Sequence, residues 1–468
     1  MPEHDYDMLV IGSGPAGQRA AIQAAKLNRR VALVERSAVL GGVMINTGTI
    51  PSKTLREAAL YLTGYREHGV YGETYTVKRF IKMEDLLVRT DHVMQSEIDT
   101  TGHQLMRNRV EVITADASFV DANTVLLNFA DGQGERTVTA DKFVIAVGTS
   151  VTRVEQIPFD GKRIFVSDDI LNLDRLPRTL AIVGAGVIGL EYACIFAILG
   201  VRVTLIDMMP RLLPFVDSEI VDSLVYHLRQ NRVTLRLGEE VAGIDPMDEE
   251  RGERVSIHLA SGKQIVTEKA LYSIGRTGAT RSLNLPAIGV EADERGRIKV
   301  NSSYQTEAQH IYAVGDVIGF PSLASTSGEQ GRLAASHAFG AKSPSFPELF
   351  PYGIYTIPEI SVVGPTEEEL TTQGVPYEVG KAHYREIARG QILGDSTGAL
   401  KLIFHRETRK LLGVHIIGEG ASELVHIGQA VLAHGGLIDY FVDTVFNYPT
   451  LAECYKTAAL DGLNRVDV

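Results

Sequence analysis

The chain predicts an α/β protein made of two copies of a strand–glycine turn–helix–strand unit, followed by a separate α+β domain. Three observations predict it. A short apolar run at residues 7–11 ends in Gly12-Ser13-Gly14-Pro15-Ala16-Gly17; a helix-like stretch at 18–27, a second apolar run at 30–34 and an acid, Glu35, then follow. The same order recurs over 179–207, with the run Leu180-Ala181-Ile182-Val183, the turn Gly184-Ala185-Gly186-Val187-Ile188-Gly189, a helix to 199, the run 201–206 and Asp207. From about Phe346 onward, alternating runs at 400–404 and 411–417 precede helical spacing at 422–433 and 451–460.

In each unit the first glycine permits a tight turn, the second lets backbone approach a pyrophosphate, and the third lets the helix pack close to the strand. The helix start offers unpaired N–H groups and a positive dipole end to the phosphates. Glu35 and Asp207 each lie 18 residues beyond the last glycine, placed to accept hydrogen bonds from an adenosine ribose. Two such units, each in full context, define two Rossmann-like dinucleotide-binding domains. Between them, residues 60–106 have helical spacing, and 110–147 alternates like strands, with Asp131-Gly132 as a turn signal. Ser273-Ile274-Gly275-Arg276-Thr277 ends one sheet segment, and a return segment carries Ile311-Tyr312-Ala313-Val314-Gly315-Asp316.

The 468 residues exceed what one core organises. A formal charge of −12 argues against nucleic acid and anionic membrane surfaces as partners. No apolar run approaches the 18 or so residues of a membrane span. The opening Met1-Pro2-Glu3-His4-Asp5-Tyr6-Asp7 is acidic and leads directly into a strand, unlike a secretory or transit peptide. Cys194 and Cys454 are the two cysteines, too few and too separated for a disulfide framework, so a cytoplasmic setting is expected. No histidine shows metal-ligand spacing; His415, His426 and His434 read as core or surface residues, and no metal is expected.

Residues 41–53, Gly41-Gly42-Val43-Met44-Ile45-Asn46-Thr47-Gly48-Thr49-Ile50-Pro51-Ser52-Lys53, resemble the redox-disulfide segment of the flavoprotein disulfide reductases, the family of dihydrolipoamide dehydrogenase and glutathione reductase. There the segment reads GG-x-C-x-N-x-G-C-x-PSK. Phe143-Val144-Ile145-Ala146-Val147-Gly148-Thr149 and Val314-Gly315-Asp316 also resemble that family's motifs, and the likeness spans the whole chain. It implies FAD in the first unit, held by Gly12, Gly14, Pro15, Ala16, Gly17, Glu35, Arg36, Gly41, Gly42, Val43, Thr47, Gly48, Lys53 and Gly148, with Gly315-Asp316 at the ribityl chain. It implies a nicotinamide dinucleotide in the second, inserted unit, at Gly184, Gly186, Val187, Ile188, Gly189, Asp207, Gly275 and Arg276. Domains are expected at 1–150 and 276–345 for FAD, 151–275 for NAD(P), and 346–468 for dimerisation into a homodimer or higher homo-oligomer. Lys53 and Glu191 match a pair beside the flavin, where a cation tunes the ring's potential. An acid at 207 favours the free 2′-hydroxyl of NAD; Arg202, Arg211 and Arg276 are the cations that would offset it for NADP, and these residues leave the choice open.

The departures from the family pattern carry the functional expectation. Met44 and Thr49 occupy the two cysteine positions, and neither forms a disulfide or a thiolate. In the family's H-P-x-x-x-E motif, Tyr448 stands for the histidine while Glu453 is kept; a phenol titrates near pH 10, an imidazole near 6.5. Cys454, one residue beyond Glu453, and Cys194 read as small packed residues. Within the family the resemblance is to the flavin-dependent transhydrogenases, which implies hydride passing from NADPH to flavin N5 and then to NAD⁺, ping-pong through one nicotinamide pocket. The alternatives are an NAD(P)H-dependent diaphorase or quinone reductase, and a non-catalytic subunit of a dehydrogenase complex.

Overall fold

In the computed structural model, which describes residues 3–129, 132, 134–249, 252–342, 346–347 and 349–466, the strand Tyr6–Ile11 runs parallel to Val31–Glu35 on one side and Gly134–Ile145 on the other. Two compact units divide the chain. The first comprises Met1–Thr54, Leu87–Arg153 and Gly275–Phe346. Its sheet has the order 111–114, 31–35, 6–11, 134–145, 124–129, 116–121, and Ile311–Ala313 also pairs with the long strand Gly134–Ile145. The strands at 31–35, 6–11, 111–114 and 311–313 are parallel, and the 116–145 portion is an antiparallel meander. Met8, Leu9 and Val10 are fully buried, which is why this run is apolar without alternation. The helix Pro15–Lys26 buries Ala16, Ala20, Ala21 and Ala24, and small residues let Ala324–Ala338 approach it: a Cβ on Gly331 would stand 2.0 Å from the Ala16 carbonyl oxygen.

The second unit comprises Leu55–Leu86, Val154–Ile274 and Pro347–Val468. It holds a parallel five-stranded sheet in the order 234–237, 202–207, 179–183, 269–272, 164–166, with the buried helix Val187–Ile198 following the strand Thr179–Val183. The segment after 346 forms an antiparallel sheet in the order 352–354, 360–363, 411–417, 399–405, 377–383, with the helices Ala421–Ala433 and Glu453–Leu463 packed on it, the expected α+β arrangement.

Element ends differ from the sequence expectations for local reasons. The first helix starts at Pro15, whose fixed φ and missing N–H suit a first helical position. The helical stretch expected over 60–106 is interrupted: helices run over Thr49–Thr63, His68–Tyr71 and Met83–Arg107, with Gly64 at φ +69° and Gly72 at φ +89° in left-handed backbone at the breaks. The last helix begins at Glu453 rather than 451. Asp131 of the expected turn lies outside the described residues. No helix among the described residues is long and apolar enough to cross a membrane.

Candidate dinucleotide sites

The two glycine turns have nearly the same geometry. Gly12 takes φ +105° and Gly184 φ +102°, backbone that a side chain would strain. A Cβ on Gly17 would lie 1.9 Å from the Gly12 carbonyl oxygen, and a Cβ on Gly189 would lie 1.9 Å from that of Gly184, so only glycine lets each helix pack there. A Cβ on Gly14 or Gly186 would meet nothing within 4 Å. Each second glycine therefore faces open space at a helix start, and as N-cap it brings no side-chain hydrogen bond to the first helical N–H groups. Val187 and Ile188 form the first turn of the second helix.

The acids close both turns. Oε2 of Glu35 accepts from the Ser13 N–H at 2.9 Å and its hydroxyl at 2.6 Å, and Oε1 accepts from the Ser37 N–H at 2.9 Å. Oδ2 of Asp207 accepts from the Ala185 N–H at 2.5 Å and Oδ1 from the Met209 N–H at 2.8 Å. A carboxylate offers about four lone-pair positions, so both keep acceptor capacity for a ribose hydroxyl. Two serines that the sequence did not single out help build the sites. The Ser13 hydroxyl also accepts from the Gly41 N–H at 2.9 Å, and the Ser273 hydroxyl lies 3.1 Å and 2.9 Å from the carbonyls of Val183 and Gly184. A serine just past the end of an apolar strand carries little signal by itself.

In the first unit, Glu35, Gly41, Gly42 and Gly315 lie against the first glycine turn. A Cβ on Gly42 would come within 3.1 Å of the Gly14 Cα, and one on Gly315 within 3.1 Å of the Ala16 Cβ. Gly148 takes φ +64° in the gap between the strands Gly134–Ile145 and Thr149–Val151. The Thr47 hydroxyl is buried and finds no hydrogen-bond partner among the described residues, a polar atom suited to a ligand at this place. Burial pushes the Asp316 carboxyl up; the Arg276 charge and a 3.4 Å contact from the Ser327 hydroxyl oppose that. Arg36 is exposed and Val43 is partly so. The open face of Gly14, the uncapped helix start and the orphan Thr47 hydroxyl fit a dinucleotide cofactor.

Three candidate cations separate cleanly. Arg276 donates to the Thr149 hydroxyl at 2.9 Å and carbonyl at 3.0 Å, beside Gly275, in the first unit. Arg202 begins the strand that Asp207 ends, roughly 17 Å away at about 3.3 Å per residue. Arg211 follows Asp207 by four residues, in the loop beyond that strand end. Lys53 lies in the first turns of Thr49–Thr63, its Nζ 3.2 Å from the Ser52 hydroxyl, and buried Glu191 accepts from the Tyr355 N–H at 2.9 Å.

Both cysteines are free and buried, and burial pushes each thiol up to about 12, so neither is a thiolate near neutral pH. Met44 lies in the short helix Gly42–Asn46 and Thr49 opens the next. Tyr448 is exposed, while Oε2 of Glu453 is buried without a hydrogen-bond partner among the described residues. Asp217, Glu219 and Glu367 bring their carboxylates together, but the Lys401 ammonium already lies among them, 2.9 Å from both oxygens of Asp217 and 3.1 Å from Glu219, and also bonded to Glu367.

A fold of two dinucleotide turns with this segment beside the first defines a nucleotide-dependent oxidoreductase. Residues 6–331 match the model of the pyridine nucleotide-disulphide oxidoreductases, and residues 350–459 match that family's dimerisation domain. The chain belongs to this family. It is 54% identical, over 99% of its own length and 98% of the relative's, to the soluble pyridine nucleotide transhydrogenase of Mycobacterium bovis. It is 46% identical to the protein of the same name from Colwellia psychrerythraea, over 99% of each chain. Among solved structures it is similar to LpdA from Mycobacterium tuberculosis (TM-score 0.88, 26% identity, 97% of this chain and 99% of that one). It is also similar to the HOCl-induced flavoprotein disulfide reductase RclA from Escherichia coli (TM-score 0.86, 28% identity, with the same coverage).

Proposed function

We propose that this chain transfers hydride between the two pyridine nucleotides through FAD, NADPH + NAD⁺ = NADP⁺ + NADH, without a redox disulfide. One observation carries the reading: both glycine turns are intact while positions 44 and 49 hold Met and Thr, and the two thiols present are buried. The flavin supplies the hydride relay when bound; the protein supplies binding, orientation and electrostatics. In the first unit Gly14 and the helix start take the FAD pyrophosphate, Glu35 keeps an acceptor for its ribose, the Thr47 hydroxyl bonds the cofactor, and Asp316 meets the ribityl chain. In the second unit Gly186 and Asp207 do the same for the exchanging nucleotide. Lys53 and Glu191 are assigned to the flavin ring on the family resemblance. Hydride transfer needs no thiol and no acid–base histidine, which agrees with Tyr448 at its position. The segment matching the dimerisation domain supports a homo-oligomer, and the protein is assigned to the cytoplasm.

Anaerobic reduction by NADPH followed by mixing with NAD⁺ tests the reading. The expected result is stoichiometric return of the oxidised flavin spectrum with appearance of NADH. Reoxidation by quinone or dye but not by NAD⁺ would favour a diaphorase. A preparation without bound flavin would sink catalysis of either kind.

A further inference from the structure

We propose that Arg211 is the specificity-determining residue that admits the 2′-phosphate of NADP(H) beside Asp207, with Glu368 holding its guanidinium when the nucleotide lacks that phosphate; this rests on the dual-nucleotide reading above. A 2′-phosphate carries roughly −1.5 to −2 charges and would stand next to the Asp207 carboxylate. Backbone donors from Ala185 and Met209 hold that carboxylate at the strand end, so it does not leave. A counter-charge must therefore come from nearby. Arg202 is at the wrong end of the strand, and Arg276 is tied to Thr149. Arg211 is four residues past the acid, in the loop beyond that strand end, and its side chain is 46% exposed.

Its acidic neighbour explains how one site serves both nucleotides. Arg211 is 3.8 Å from Oε1 of Glu368, itself 47% exposed, and the same oxygen accepts from the Ser218 N–H at 3.3 Å. This is a loose surface pairing, easily exchanged for a dianionic phosphate that accepts the guanidinium fork in two parallel hydrogen bonds. With NAD(H), the arginine returns to Glu368 and Asp207 takes the free ribose hydroxyl. A guanidinium fixed permanently at Asp207 would favour NADP; one held elsewhere would favour NAD. An arginine on a weak tether serves each in turn.

The experiment is titration of flavin-loaded Arg211→Gln, Arg211→Lys and Glu368→Gln with NADP⁺ and with NAD⁺ by calorimetry, alongside KM for NADPH and NADH with an artificial dye as acceptor. Arg211→Gln should weaken NADP⁺ by about tenfold or more and leave NAD⁺ within about twofold, with the same split between KM for NADPH and KM for NADH. The gap should narrow as salt is raised. Arg211→Lys should fall between, since a point charge lacks the fork. Glu368→Gln should tighten NADP⁺ by about two- to threefold without changing NAD⁺. Equal weakening of both nucleotides, or of neither, would overturn the proposal, as would a salt-independent effect. Because binding and dye reduction are read separately, a wild-type flavin that NAD⁺ fails to reoxidise would sink transhydrogenation while leaving a selective Arg211 effect standing.

Discussion

Lys401→Met is the most decisive stability test the structure offers. The Lys401 side chain is 3% exposed and Asp217 0%, and the lysine holds Asp217, Glu219 and Glu367 together. Methionine keeps most of the stem's volume and deletes the charge, leaving a fully buried carboxylate uncompensated. Breaking a buried pair from one side costs about 3–5 kcal/mol; Glu219 and Glu367 face water in part and add little, so about 4 kcal/mol is expected. At a urea slope of about 3 kcal/mol/M, the unfolding midpoint of the flavin-loaded protein should fall by roughly 1 M. Adding Asp217→Asn should recover much of it, because asparagine keeps the oxygen that accepts from the Glu219 N–H at 3.2 Å and caps the helix Ser218–Gln230. Burial works to lower the Lys401 ammonium, but Glu367, Asp217 and Glu219 outweigh it and hold it above its ordinary value. A raised lysine stabilises below its unfolded value of about 10.4 and loses that as pH rises through the folded one. Burial works to raise Glu219, but Lys381 and Lys401 outweigh it and hold it below the usual carboxylate range. A lowered acid stabilises above about 4.5 and loses that as pH falls through the folded value. The deficit of Lys401→Met should thus be flat from about pH 6 to 9 and shrink below about pH 4.5. A midpoint shift under about 0.3 M, or a deficit unrelieved by the double variant, would refute the argument.

Three further outcomes are expected. Gly14→Ala should fold, since its Cβ meets nothing, yet purify with under about a tenth of the bound flavin; Gly186→Ala should stay yellow and raise KM for both NADH and NADPH by about tenfold. Flavin content and steady-state kinetics check the pair. His415 is buried among Asp217, Lys401 and Glu368, its Nε2 3.0 Å from the Pro365 carbonyl, and burial holds its imidazole below 6.5 despite Asp217 and that carbonyl. A lowered histidine costs stability as pH falls through about 6.5, so urea midpoints should decline from pH 7 to 5, and His415→Leu should flatten that slope. The native protein should react with no thiol reagent at pH 7.5, and Cys194→Ala/Cys454→Ala should keep full turnover; rapid labelling of a native thiol would contradict their burial.

Much of the fold was legible because its signals are local. Gly12 and Gly184 need left-handed backbone, Gly17 and Gly189 need absent side chains, and the buried parallel strands around them need continuous apolar runs, all within a window of about 30 residues. What was not legible lies at long separation. Lys401 meets Asp217 across 184 residues and Arg56 meets the Thr356 carbonyl across 300; Lys401, Asp217 and Arg56 each read alone as a surface charge. The break after Gly64 was missed because flanking residues keep helical spacing while the glycine packs against the Tyr75 ring, where a Cβ would approach to 2.6 Å.

The two turns look identical as sequence motifs, but the structure distinguishes them through one side chain. Ser13 in the first turn donates its hydroxyl to Glu35 and accepts the N–H of Gly41, tying the start of the 41–48 segment to the turn, with Gly42 close to Gly14. The second turn has Ala185 at the corresponding place, whose N–H reaches Asp207 but whose methyl ties down nothing, and Gly186 is exposed. Moving Gly41 off the first turn breaks buried hydrogen bonds, at about 1–3 kcal/mol for each polar group left unpaired, whereas Ala185 makes no such tie at the second. That asymmetry is what a resident cofactor and an exchanging nucleotide require. It supports the proposed division, FAD at the first turn and the exchanging nucleotide at the second, on grounds independent of the order in which the two units occur along the chain.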